Sequence, residues 1–246
     1  MKIIPLPLLL IALHLGSFVF SSPSDRKEEL LKSNEPLFVS LGSYCEGAHM
    51  LKFCERRKAA FPLDWIISFD GEAVIEMLQN GFDDLFNEVH FIPYGPAGHL
   101  LHNRYHLEFL HEGNFNQDYE DQFEDLKQKY TRRIDRFYSL KDYQGKVYFI
   151  RNAYIYSTTN LHRFFQCSAN IEITEDYAMR LYQALKFVFS DLDFDLLVIN
   201  SNEGNGFNEQ KTLSEHVKFF TVNPHLELPQ KIEAYRAFFD AIVNEG

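Results

Sequence analysis

Short apolar segments alternate along this chain with helices that carry one apolar face. Buried strands are predicted at residues 37–41, 146–150, 196–200 and 217–222, where apolar residues run together. The clearest helix repeats large apolar side chains at three-and-four spacing: Tyr119, Phe123, Leu126, Tyr130, Ile134 and Phe137. Strands that alternate with helices favour an α/β fold, in which a mixed, mostly parallel sheet is flanked by helices.

A length of 246 residues allows one large domain with a substantial core. No internal repeat or linker-like segment follows residue 36, so we predict a single layered domain over residues 37–246. Residues 22–36 are predicted to form a charged leader segment ahead of this domain.

The first 21 residues have the composition of an export signal. One lysine precedes an apolar run from Ile3 to Phe20, and Val19 and Ser21 fit the small-residue rule for a cleavage site. The run is also nearly long enough to span a bilayer uncleaved. We therefore expect residues 1–21 to be a signal peptide or an N-terminal anchor. The protein is then exported (secreted, periplasmic or in the lumen of the secretory pathway) or membrane-anchored.

The net charge of −11 restricts the partners. An acidic chain lacks the positive surface that binds nucleic-acid backbones and anionic membranes. We therefore expect no nucleic-acid partner, and membrane contact only through an uncleaved N-terminal segment. Five histidines lie within 22 residues, but their spacing matches no standard zinc signature, so we expect no metal ion and no other cofactor.

The stretch FVSLGSYCEGAHML at residues 38–51 predicts a strand, a turn of small residues and a helix with Cys45 in its first turn. A helix N-terminus lowers the pKa of a thiol, and small neighbours let a nucleophile sit on a tight corner. Cys45 is therefore a candidate nucleophile, although an inert buried cysteine is the commoner use of this residue. His49 follows four residues later on the same helical face, where it can stabilise a thiolate.

Arg132 and Arg133 lie on the predicted helix at 119–137, among acids that indicate a salt-bridged, solvated face. The functional alternative is a clamp for a carboxylate or phosphate group of a substrate.

Several separate motifs occur in a fixed order: SLGSYCEGAHMLKF, AAFPLDWIIS, GFDDLF, HLEFLHEGNF, KYTRRIDRF and KVYFIRN. Over roughly residues 37–200 they resemble an uncharacterised domain family labelled "putative papain-like cysteine peptidase". That family has S-L-G-x-x-C, P-F-D-W and H-D-F elements, a paired-Arg helix and an apolar strand ending in Arg. The papain-like label implies an α+β fold, whereas the periodicity favours α/β, which we keep as the prediction.

The resemblance implies a Cys–His hydrolase acting on a peptide or related acyl bond. The family's cysteine falls on Cys45 and its H-D-F histidine on His111. Its Asp-Trp pair falls on Asp64 and Trp65, and its paired arginines fall on the arginines of the long helix. Two departures are visible, since Leu63 replaces Phe, and Glu112-Gly113 replaces Asp-Phe.

A Cys–His enzyme also needs a group that orients the imidazole and donors for the oxyanion. Asn152 and Asp64 are the candidates for the orienting group, and the backbone N–H groups of Cys45 and Glu46 are the candidate donors. The predicted substrate-binding residues are Ser43, Glu46, Trp65, Arg132 and Arg133.

Two other functions stay open. A thiol acyltransferase or esterase would use the same dyad on a non-peptide acyl group. A non-catalytic exported domain would bind a sugar or an anion on backbone N–H groups of the SLGSYC turn.

Overall fold

The computed structural model describes residues 23–94, 99–112, 118–153, 173–201 and 207–245. Within these ranges the chain forms six α-helices: α1 (Pro23–Leu31), α2 (Glu46–Phe53), α3 (Gly71–Gln79), α4 (Tyr119–Tyr138), α5 (Glu175–Val188) and α6 (Leu228–Glu245). Short 3₁₀ turns lie at Glu88–His90 and Ser139–Asp142. Side chains explain where two helices begin. Asp70 caps α3 and Thr174 caps α5, because each side chain accepts hydrogen bonds from backbone N–H groups of the first turn.

The larger sheet has five strands in the order β1 (Leu37–Ser40), β6 (Val147–Asn152), β7 (Phe194–Ser201), β9 (Val217–Val222) and β8 (Phe207–Ser214). The first four are parallel to their neighbours, and β8 runs antiparallel to β9 at one edge. This mixed, mostly parallel sheet with flanking helices confirms the predicted α/β fold.

Alternate residues of the parallel strands pack into two separate cores, one on each face of the larger sheet. Leu37, Val39 and Phe149 pack in the same core as α3, α4 and α5. Phe38 and Tyr148 belong to the other core, which includes residues of α2 and α6. Because strands with both faces covered are apolar at every position, they read as continuous apolar runs in the sequence.

A smaller antiparallel sheet has the order β2 (Ile67–Ser68), β5 (Leu107–Phe109), β4 (His99–His102) and β3 (Phe91–Tyr94). The sequence predicts only one of these strands, at residues 104–111. That strand is shorter than predicted because the chain turns just before β5, where His106 has a positive φ of 50°. The pairing of Ile67 with Glu108 sets the segment after β5 beside the segment before β2, which brings His111 to Trp65.

The predicted signal peptide or anchor at residues 1–21 lies outside the described residues, so it stays a prediction. The leader segment predicted at residues 22–36 contains α1. In the described part of the chain, no helix has both the length and the apolar composition needed to cross a membrane.

Candidate active site

Cys45 lies on a tight corner between β1 and α2, beyond the carboxyl end of β1. Gly42 has a φ of +80°, and a Cβ at this position would lie 3.0 Å from Nη1 of Arg151, so the turn requires glycine. The backbone N–H of Asn152 donates to the Gly42 carbonyl oxygen (2.9 Å), and Nη1 of Arg151 donates to the Leu41 carbonyl oxygen (2.6 Å). These bonds attach the corner to the end of β6 and fix Cys45 relative to the larger sheet.

Ser43, predicted to bind substrate, lies inside this corner and is hydrogen-bonded to neighbouring strands. It is fully buried, and both its hydroxyl (2.7 Å) and its N–H (3.3 Å) donate to the Asn152 carbonyl oxygen. Its own carbonyl oxygen accepts from the N–H of Ser68 (2.9 Å). Ser43 therefore joins the corner to β6 and β2, and its contact with a substrate stays a prediction.

The Cys45 thiol is more buried than expected for a nucleophile at a helix start. Cys45 is the N-cap residue of α2, and only 4% of its surface is exposed. Burial raises the pKa of the Cys45 thiol, and hydrogen bonding from the Tyr44 side chain opposes this effect only in part. The direction is opposite to the lowered pKa expected at a helix N-terminus, because desolvation outweighs the helix dipole. The resting thiol is therefore protonated at neutral pH.

Four aromatic side chains form a cluster on the side of α2, which we call the ring cluster: His49, Phe53, Trp65 and His111. The ring centre of His49 lies 4.8 Å from that of Trp65, 6.0 Å from that of His111 and 6.2 Å from that of Phe53. Trp65 and His111 meet edge to face at 5.8 Å. Phe53 and His111 are exposed, and the other two are half-buried, so the cluster presents both imidazole and apolar surface to solvent.

The ring cluster connects His111 to the helix that begins at Cys45. The His49 N–H donates to the Cys45 carbonyl oxygen (2.9 Å), and side chains four residues apart on a helix are neighbours. Within the described ranges, no hydrogen bond joins the Cys45 thiol to the ring of His49 or of His111. The structure thus places the two predicted residues at the same helix, with His49 next to both.

Glu112, directly after His111, is held by α4. Its side chain is 5% exposed, and its carboxylate accepts hydrogen bonds from Nη1 of Arg133 (3.3 Å) and the Tyr130 hydroxyl (3.3 Å) and pairs with Lys129. These contacts fix the backbone beside His111, which gives Glu112 a positioning role.

The adjacent arginines of α4 have different surroundings. Arg133 is 12% exposed, binds Glu112 and lies with its guanidinium 4.6 Å from the ring centre of Tyr130. Arg132 is exposed, and no ion pair reaches it from any residue in the described ranges. Neighbours on a helix point about 100° apart, so the two arginines face different surroundings, and their binding of substrate stays a prediction.

Asp64, a predicted orienting residue, lies against Arg57. Its carboxylate, 2% exposed, accepts from Nη2 (2.8 Å) and Nε (3.3 Å) of Arg57 and from the N–H of Phe61 (3.0 Å). Burial raises the pKa of the Asp64 carboxyl, and Arg57 opposes this effect. The Arg57 guanidinium also lies 5.1 Å from the ring centre of Trp65. In the described part of the chain Asp64 therefore supports the ring cluster through Arg57 and makes no hydrogen bond to His111.

Asn152, the other predicted orienting residue, faces α6. Its Nδ2 donates to the Tyr235 hydroxyl (3.0 Å), and that hydroxyl donates to Oε1 of Glu46 (3.1 Å). Lys231 donates to the other oxygen of Glu46 (3.1 Å). These hydrogen bonds join the end of β6 to the first turn of α2. In the described residues, none of them involves His111. Glu46, predicted to bind substrate, is largely engaged with α6.

The sequence did not predict three residues that hold the candidate site residues in place: Glu112, Arg57 and Tyr235. Glu112 had a usable signal, because it occupies the acidic position of the family's H-D-F element. Arg57 and Tyr235 had none, since Arg57 lies in a mixed charged run and Tyr235 is separated from Asn152 by 83 positions in the chain.

The histidines of the smaller sheet have structural partners. No group of three potential metal ligands occurs among the described residues. His102 is fully buried and stacks on Tyr105 at 5.0 Å. Its Nδ1 accepts from the Tyr105 N–H (3.1 Å), which leaves the proton on Nε2, facing the Asp84 carbonyl oxygen at 3.4 Å. Burial lowers the pKa of His102 to about 3.

We expect His102 to make the fold sensitive to acid. The folded protein keeps this ring neutral below pH 6.5, whereas the unfolded chain takes up a proton there, so stability falls as the pH drops from 6.5 towards about 3. The contribution of His102 in that window is about 1.4 kcal/mol per pH unit. His102→Asn keeps an acceptor near the Tyr105 N–H but does not titrate. Urea unfolding at several pH values should show a shallower decline for the variant, and equal slopes would contradict the assignment.

A family model described as "Putative papain-like cysteine peptidase" matches residues 36–204, which is more than half of the chain. Among curated proteins, an uncharacterized protein of Acanthamoeba polyphaga mimivirus is 28% identical over 142 residues. The aligned region covers 50% of this chain and 64% of the viral protein, so the chain spans less than two thirds of that relative. No solved structure matches the chain.

Proposed function

Because the chain belongs to the family described as "Putative papain-like cysteine peptidase", we propose that it is a thiol-dependent hydrolase of peptide or related acyl bonds, with Cys45 as nucleophile. The observation that carries the proposal is the position of Cys45. It precedes α2 on a corner of the larger sheet, and one turn further on α2 carries His49, whose ring centre lies 6.0 Å from that of His111.

His111 is the proposed general base. The Cys45 thiol is protonated at rest, so attack on the carbonyl carbon requires a group that removes the thiol proton as the sulfur–carbon bond forms. The imidazolium then gives this proton to the leaving amine as the carbon–nitrogen bond breaks, and water hydrolyses the thioester that remains. His111 is exposed and follows β5 in a turn, and in the proposed reaction its ring moves towards the thiol, whereas His49 is held on α2 against Trp65 and Phe53.

The first turn of α2 supplies the donors that the reaction needs. The N–H groups at a helix start have no partner within the helix, so those of Cys45 and Glu46 suit a developing oxyanion. The Glu46 carboxylate is bound by Lys231 and Tyr235, which holds its negative charge towards α6. Trp65 and Phe53 offer an apolar surface for a substrate side chain on the side of α2 that carries His49.

The corner itself argues against the sugar- or anion-binding alternative. The Gly42 N–H donates to Oγ of Ser40 (3.3 Å), and the Ser43 N–H donates to the Asn152 carbonyl oxygen. Two N–H groups of the SLGSYC turn are therefore already used inside the protein. An esterase requires the same Cys45 chemistry on an ester, and an acyltransferase passes the acyl group of the thioester to an acceptor other than water.

The test compares Cys45→Ser with Cys54→Ser as matched control. Cys54 is also a buried thiol, near the Ile232 carbonyl oxygen (3.6 Å), in the core between α2 and α6. Turnover of a peptide mixture and of small acyl esters should fall at least about a thousandfold in Cys45→Ser and persist in Cys54→Ser. The ratio of peptide to ester turnover in the wild type then identifies the acyl substrate. If iodoacetamide modifies Cys45 only after urea unfolds the protein, Cys45 is an inert core residue and the proposal fails.

A further inference from the structure

A cleft of about 660 Å³ lies between α1, the segment 57–60 and α4, and we call it the basic cleft. Its lining includes six cationic side chains: Arg57, Lys58, Lys129, Arg132, Arg133 and Arg136. Neither Cys45 nor any residue of the ring cluster lines the basic cleft. Arg57 lines the cleft and also contacts Trp65 of the ring cluster. The basic cleft is therefore a separate concave surface, which the proposed hydrolysis does not use.

The basic cleft has more cations than nearby acids. Arg57 is paired with Asp64, and Lys58 with Glu35 (2.9 Å). Lys129 and Arg133 share the single carboxylate of Glu112. Arg136 donates to the Ala60 carbonyl oxygen (2.6 Å), and Arg132 has no ion pair with any residue in the described ranges. Among the described residues that line the cleft there are six cations and two acids, Glu29 and Glu35, so positive charge predominates on its surface.

This local excess contrasts with the chain as a whole, whose net charge is −11. A concave surface with an excess of one sign of charge concentrates the electric field and attracts ions of the opposite sign. Arginine binds phosphate and carboxylate groups through two parallel N–H donors, and four of the six cations are arginines. The cleft thus has the composition of an oxyanion site.

We propose that the basic cleft binds a phosphate monoester. Two features select this group over a carboxylate or a sulfate ester. A phosphate monoester carries nearly two negative charges at neutral pH, so the cations of the cleft attract it more strongly than the other two groups, which carry one. Its three terminal oxygens also accept donors from several directions, which suits cations that enter from both the segment 57–60 and α4.

Binding in the cleft acts on the ring cluster through two shared residues. Arg57 contacts Trp65 on one side and lines the cleft on the other, and Arg133 lines the cleft while it holds Glu112 beside His111. A bound phosphate competes with Asp64 and Glu112 for these guanidinium groups. Because Trp65 is the single tryptophan of the chain, its fluorescence reports such a change directly.

The experiment titrates the full chain with phenyl phosphate, phenyl sulfate and benzoate at constant ionic strength, with calorimetry and Trp65 fluorescence as readouts. Ionic strength is fixed because salt screens exposed charges. We expect phenyl phosphate to bind about tenfold more tightly than the two monoanions. In Arg132→Gln, affinity for phenyl phosphate should fall about tenfold, since no residue in the described ranges forms an ion pair with the charged donors of Arg132.

The matched control is Arg236→Gln, an exposed arginine of α6 outside the cleft, which should leave the affinity unchanged. Repeating the titration with Cys45→Ser keeps the result independent of any turnover, so failure of the proposed hydrolase activity does not affect it. No binding of phenyl phosphate overturns the proposal. Equal affinity for all three ligands, or equal affinity in Arg132→Gln and wild type, overturns it as well.

Discussion

Removal of the His111 ring is expected to lower kcat/KM at least about a hundredfold, the usual loss when a general base is deleted. The physical reason lies at Cys45, whose thiol is buried and has a raised pKa, so the nucleophile does not form without a proton acceptor. His111→Ala should therefore reduce kcat more than it changes KM. Turnover of the peptide or ester substrate found for the wild type provides the measurement.

His49→Ala is the matched control, because both imidazoles belong to the ring cluster and both contact Trp65. Burial lowers the pKa of His49, which makes its imidazole a weaker proton acceptor. We expect its loss to reduce turnover by less than about tenfold. Combining His111→Ala with Cys45→Ser should be little worse than either change alone, since the two residues act as a unit. A larger loss in His49→Ala than in His111→Ala would assign the base to His49.

The elements that the sequence predicted well are those with a strong periodic signal. The apolar runs that became β1, β6, β7 and β9 are buried on both faces, and the apolar stripe at 119–137 became α4. The smaller sheet was largely missed for a physical reason. Its strands are two to four residues long, so none contains enough alternation to be recognised, and cross-strand pairing defines them instead.

The corner that carries Cys45 was predicted from the sequence, but the burial of its thiol was not. The SLGSYC stretch forms the expected strand–turn–helix corner. This corner was predictable because Gly42 and its small neighbours are a local feature of the sequence. The raised pKa of Cys45 was not predictable, since it depends on how deeply the fold buries the thiol. Likewise, only the packing of α4 against Glu112 distinguishes Arg133 from Arg132. The local sequence pattern thus predicts where the corner forms, whereas burial and residues distant in the chain determine the pKa and the contacts of its side chains.

The replacement Asp64→Asn is expected to cost about 3 kcal/mol of unfolding free energy while the folded variant keeps its kcat. The change removes the ion pair with Arg57 but keeps an oxygen that accepts the Phe61 N–H. Breaking a buried pair leaves one charge without its partner, which typically costs about 3–5 kcal/mol, and Arg57 recovers part of this because it is 21% exposed. Urea unfolding measures the loss, and turnover per folded molecule measures the chemistry.

The control for this change is Asp135→Asn, which breaks an ion pair of α4 with Lys27 in which the Asp135 side chain is 63% exposed. Such an exposed pair is worth about 0–1 kcal/mol, so the two Asp→Asn variants should differ clearly in stability. The opposite pattern for Asp64→Asn, with stability retained and kcat reduced about 10⁴-fold, is the behaviour of a residue that orients a catalytic imidazole. That result would mean that Asp64 leaves Arg57 and reaches His111 during the reaction. The contacts with Arg57 and Phe61 argue for the structural role, because Asp64 would have to give up three hydrogen bonds to make one.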